Sequence, residues 1–152
     1  SDLMEWIFWY FLVATLLGFF QVVKNIVKGK NKEGLIHEIG NKNIDPIRKL
    51  KVILSKKSIL AYVVLIGVLM NLLFLPIYIH FTSVPMLKAL SIFQIMLIIF
   101  SIISGVYAVS LIYDNEIDNY KDYIYDVIFP MNIINVAIDF VYSYALYVYL
   151  IK

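Results

Sequence analysis

The chain has 152 residues, 62% of them hydrophobic and 16% charged, against about 45–50% and about 25% in soluble domains. A mean hydropathy of +0.83 without one cysteine excludes an ordinary soluble domain, a disordered tail and a disulfide scaffold. Thirteen basic residues against eleven acidic leave a net charge of +2, so only the placement of charge is informative.

A helix crossing about 30 Å of hydrocarbon needs roughly 20 mostly apolar residues. The first such segment runs from Trp6 to Val23, between Glu5 and Lys24. Basic residues follow it rather than precede it, so it reads as a span and not as a cleavable signal. Met4, after Ser1-Asp2-Leu3, reads as the native start.

The connector over residues 24–58 holds ten of the thirteen basic residues: Lys24, Lys28, Lys30, Lys32, Lys42, Arg48, Lys49, Lys51, Lys56 and Lys57. The positive-inside rule places it in the cytoplasm of a cell-membrane protein, with both termini outside. Asp45-Pro46 reads as a helix N-cap followed by proline at the first helical position. Ile47, Leu50, Ile53 and Leu54 then share one face, with Arg48, Lys49, Lys51, Ser55 and Lys56 mostly on the other. With Lys57 alongside, this basic amphipathic helix suits anionic inner-leaflet lipid, each basic residue contributing about 1 kcal/mol. No aromatic platform accompanies it, so nucleic acid is not an expected partner. Leu35, Ile36 and Ile39, framed by Gly34 and Gly40, read as a second short interfacial turn.

The second apolar segment runs from about Ile59 to Ile79 and the third from about Met86 to Tyr113, interrupted early by Lys88. The connector between them, Phe81 to Pro85, is very short, so these segments form a tight external hairpin. A third connector, residues 114–126, places acids at 114, 116, 118 and 122 like a calcium loop. The pattern fails, with Asn119 in place of the glycine and Tyr125 in place of the bidentate glutamate. These acids instead face the basic connector across the same membrane side. Tyr113, Tyr120, Tyr123 and Tyr125 read as interfacial aromatics, as do Trp6, Trp9, Tyr10, Tyr142, Tyr144, Tyr147 and Tyr149. The fourth segment runs from about Val127 to Ile151. In lipid, backbone groups must be satisfied within each segment, and no alternation supports a barrel. The expected fold is an all-α integral membrane protein: one domain, a bundle of four transmembrane helices with an amphipathic cytoplasmic connector.

One carboxylate, Asp139, sits well inside a span, where ionisable residues are costly and mark functional sites by default. Asn132, Asn135, Asp139 and Ser143 lie within about 80° on one helical stripe. On segment three, Ser91, Gln94, Ser101, Gly105 and Ala108 share a face, and segment two aligns Gly67, Asn71 and Tyr78. Asp139, Asn71 and Gln94 each fall roughly 18 Å from the cytoplasmic boundary at about 1.5 Å per residue. They are expected to form one polar layer, with Asn132 and Asn135 as further oxygen ligands. That layer serves either as interhelical glue, helped by small residues such as Ala14 and Gly18, or as an ion or proton site.

No hydrolase elbow, zinc-protease helix, phosphate loop or dinucleotide fingerprint is present. No catalytic residue, metal site or cofactor is therefore expected, and His37 and His80 fall on opposite sides. Asn71 is followed by Leu72-Leu73-Phe74. It thus lacks the Asn-x-x-Glu motif of small four-helix membrane enzymes that metabolise glutathione and eicosanoids. Segment one also lacks the intramembrane glutamate of small multidrug exporters. The leading expectation is a non-enzymatic accessory or assembly subunit of a homo-oligomer or larger membrane complex. The alternative is a small ion or proton channel or transporter protomer using Asp139.

Overall fold

A computed structural model of the chain describes residues 2–152. Every regular element in it is helical. Helix α1 spans Asp2–Gly29, α2 Lys32–Ile39, α3 Ile44–Ile53, α4 Lys56–Asn71, α5 Leu75–Phe81, α6 Pro85–Tyr113, α7 Ile117–Tyr123 and α8 Phe129–Leu150. A 3-10 turn over Asn41–Asn43 joins α2 to α3, and a π turn over Ile124–Ile128 joins α7 to α8. Among the described residues, three helical runs are long and apolar enough to cross a membrane: α1, α6 and residues 117–150. There are four if α4 and α5 count as one broken span.

That break corrects the expectation of a straight second segment. The axis bends by 62° between α4 and α5. Pro76, in the first turn of α5, explains it: the ring lacks an N–H and clashes with the carbonyl four residues earlier. The chain turns through Leu72, Leu73 and Phe74 before the helix resumes. The third connector is itself helical: α7 and the π turn run directly into α8.

The first connector folds back onto the bundle. Helix α1 continues beyond Val23 to Gly29, carrying Lys24 and Lys28 on its last turns. Lys30 then takes a left-handed φ of 61°, and the Asn31 side chain caps α2 by accepting from the Gly34 N–H at 2.9 Å. A Cβ on Gly34 would lie 1.7 Å from the Gly29 carbonyl oxygen, so only glycine permits this reversal. Leu35, Ile36 and Ile39 form part of a helix, not an isolated turn, and Ile36 is buried against protein. Helix α3 begins at Ile44, so Asp45 lies inside its first turn and does not cap it; Asn43 holds the cap position without a side-chain bond.

Packing runs in a row: α1 on α8, α8 on α6, and α6 on α4 and α5. Close α4–α6 contact depends on Gly67, where a Cβ would meet Ile102 Cγ1 at 2.9 Å. Two apolar clusters close the ends of the bundle. Phe8, Phe11, Tyr78, Phe81, Leu87, Tyr142 and Leu146 form the terminal end, near both chain termini. Ile36, Ala108, Leu111, Ile112, Tyr120 and Ile124 form the connector end.

Several expected interfacial residues belong to these cores. Tyr120 is 1% exposed and donates to the Gly40 carbonyl at 2.7 Å. Tyr142 is fully buried with its hydroxyl 2.7 Å from Ser91 Oγ, and Tyr123 pairs with Ser104 at the same distance. A buried tyrosine hydroxyl needs a partner, and each of these finds one on another element.

Candidate functional site

Between the two apolar ends lies a cavity of about 210 Å³. Every long element contributes to its wall: Phe11, Ala14 and Thr15 from α1, Asn71 from α4, and Gln94 and Ser101 from α6. Asn135 and Asp139 come from α8, while Phe74 and Tyr78 come from the break and α5. Residues on both sides of the bend line this space, Asn71 before it, Phe74 within it and Tyr78 after it.

Asp139 Oδ1 accepts a hydrogen bond from Gln94 Nε2 at 2.8 Å. Its second carboxylate oxygen accepts no hydrogen bond from the described residues. Asn71 faces the same cavity but donates to its own helix, at 2.8 Å to the Gly67 carbonyl. The expected layer therefore forms as a direct Asp139–Gln94 pair, with Asn71 and Asn135 facing the shared space. Asn132 does not line the cavity. Ser143, the next residue on the stripe, donates to the Asp139 backbone carbonyl at 2.8 Å and lies 3.4 Å from Thr15 Oγ1.

Burial around the cavity is uneven. Phe11, Thr15, Tyr78 and Gln94 are buried, whereas Asn71, Ser101, Asn135 and Asp139 are only partly covered. The floor is aromatic: the Phe11 ring meets Phe74 at 6.1 Å and Tyr78 at 5.9 Å, both nearly perpendicular. Phe11 and Tyr78 thus belong both to the cavity wall and to the terminal-end core.

Asp139 is the only carboxylate on this wall, and no basic residue joins it there. The two ion pairs among the described residues lie elsewhere, Lys56–Asp114 at 2.8 Å and Lys32–Asp122 at 3.9 Å. A partly buried carboxylate without a basic partner is either protonated or matched by a cation from outside. No three His, Cys, Asp or Glu side chains converge as a metal cluster among the described residues.

Sequence reasoning reached Asp139, Gln94, Asn71 and Asn135, but missed Phe11, Thr15 and Phe74. Thr15 is a hydroxyl within an apolar run, and Phe74 precedes the Leu75-Pro76 break; both signals stand in the sequence.

The basic residues expected to meet lipid divide into two groups. Arg48 donates to Asn115 Oδ1 at 3.5 Å, Lys51 to the Tyr113 carbonyl at 2.6 Å, and Lys56 pairs with Asp114. Those three tie the first connector to the turn between α6 and α7, whereas Lys49 and Lys57 make no such contact. The apolar face of α3 divides too. Ile44 and Ile47 pack inward, while Val52 and Ile53 are 87% and 79% exposed.

No family model, curated protein or solved structure matches this chain.

Proposed function

We propose that the chain is a non-enzymatic polytopic membrane protein that crosses the bilayer four times, with α4 and α5 as one broken span. Its cavity binds a monovalent cation at Asp139, which makes it a small transporter protomer. The observation that carries this reading is the Asp139–Gln94 pair, a carboxylate without a basic partner in a cavity at a helix break. Irregular backbone at membrane depth persists where it is buried in protein or lines a cavity, and broken helices frame the sites of many carriers.

The basic connector belongs on the cytoplasmic side by the positive-inside rule, with both termini outside. In that orientation Phe11 and Tyr78, shared by the cavity wall and the terminal-end core, lie toward the outer face. Lys49, Lys57 and the exposed Val52 and Ile53 suit contact with anionic inner-leaflet lipid.

A second reading, assembly with another copy or another membrane subunit, is favoured by Asn132. Its side chain is partly buried and makes no hydrogen bond to the described residues, and interhelical hydrogen bonds favour helix association in lipid. Copurification of a stoichiometric partner through this face in mild detergent supports that role.

Asp139→Asn tests the cation reading, because it keeps shape and hydrogen-bonding capacity but cannot ionise. The expected result is an unchanged fold with loss of cation-dependent thermal stabilisation and of liposome flux. Full flux in the asparagine variant removes the reading.

A further inference from the structure

Resting on that cation site, we infer that its ligand is a small alkylated ammonium ion rather than a bare alkali ion or a proton. Three observations converge on it: the volume, the charge and the composition of the wall.

The cavity measures about 210 Å³, whereas one water needs about 10–15 Å³ of such space. A proton needs no cavity, and a dehydrated alkali ion needs a tight shell of oxygens rather than a chamber of this size. The charge is that of one carboxylate, since Asp139 is the only acid lining the space. A single carboxylate balances a monovalent cation and leaves a divalent one half-neutralised.

Three rings share the wall with the polar groups. Phe11, Phe74 and Tyr78 all line the cavity with Asp139. Phe11 stands at 87° to Phe74 and at 78° to Tyr78, so the rings make a corner rather than a flat stack. Tyr10 stacks behind Phe74 at 5.4 Å, and Tyr142 packs behind Phe11 and Tyr78 at 5.1 and 5.2 Å. The corner is thus held rigid from outside. Ring faces attract cations through their quadrupoles, and cages of them recognise alkylated ammonium groups. Rings discriminate against a strongly hydrated alkali ion, whose lost water they cannot replace. Alkyl groups on nitrogen, by contrast, carry the positive charge on a weakly hydrated surface that fits against the rings.

The same ammonium chemistry occurs in free amines and in the choline headgroup of a lipid. The test therefore uses tetramethylammonium as the probe on the full chain in a maltoside detergent, read by thermal shift and by direct titration. Saturable binding of tetramethylammonium, lost in Asp139→Asn, is expected. Phe74→Leu should weaken it by about threefold to tenfold, and Phe74→Tyr, which keeps a ring, should retain it. Repeating the titration in phosphatidylcholine and phosphatidylglycerol nanodiscs separates the sources. Weaker apparent binding in choline lipid alone identifies the headgroup as the competing ligand, and equal binding in both identifies a free amine. A Na⁺ response that depends on Asp139 without tetramethylammonium binding overturns the ammonium inference and leaves the cation site standing. So does equal tetramethylammonium affinity in Phe74→Leu. No response to either cation overturns both readings.

Discussion

The two ends of the bundle are both apolar, but they are assembled by different means. At the terminal end the contacts join the long elements themselves, ring against ring, as in Phe11 against Tyr142 at 5.1 Å and Tyr78 against Tyr142 at 5.2 Å. At the connector end, short helices fold back and are pinned by polar tethers: Tyr120 to the Gly40 carbonyl, Lys51 to the Tyr113 carbonyl and Lys56 to Asp114. One end is held by packing, the other by packing plus directional bonds close to solvent. The difference teaches that the two ends resist opening unequally. Interlocked rings leave little room to move, whereas tethers between short elements open locally at low cost.

The largest expected effect lies at the packed end. Phe11→Ala removes a ring that is 1% exposed and touches three others, so a loss of about 3–5 kcal/mol is expected. Thermal or denaturant unfolding in detergent measures it, and a loss below that of any connector variant breaks the comparison.

A smaller effect is expected for Tyr120→Phe, which removes one of the two donors to the Gly40 carbonyl and leaves the Asn43 N–H, and costs about 0.5–1.5 kcal/mol. Its signature is spatial. Hydrogen exchange should speed up across α2 and the 3-10 turn while Phe8 to Thr15 on α1 stay protected. Uniform loosening of both ends would show that they form one cooperative unit.

The smallest effect belongs to the half-exposed Lys56–Asp114 pair. Lys56→Gln should cost about 0–1 kcal/mol, because exposed pairs contribute little and are screened by salt. The gap between this variant and the natural chain should close as NaCl rises. A gap unchanged by salt assigns the contact at Lys56 to packing over the Tyr113 ring, 6.0 Å from its nitrogen.

Much of this architecture is local in origin and was therefore legible in the chain. Apolar run length marks the helices that can span a membrane, since each residue adds the same rise. That regularity also brought Asp139, Gln94 and Asn71 to one level before any packing was known. Spacing on single helices further gave the shared face of Ser91, Gln94 and Ser101, and of Asn135 with Asp139. Charge placement set ten bases against the acids of the third connector, and two of the resulting pairs form.

Contacts between residues distant in sequence decided the rest. Pro76 signals a break, but the 62° direction of α5 depends on where Phe11 and Tyr142 receive Tyr78. Tyr120, Tyr142 and Tyr123, which composition assigns to the membrane interface, turn inward because Gly40, Ser91 and Ser104 offer partners there. Only the assembled helices show that Asn71 bonds its own backbone while Gln94 crosses to Asp139. Sequence periodicity fixes the direction of a side chain about its own helix axis; which neighbour occupies that direction is set by packing between helices.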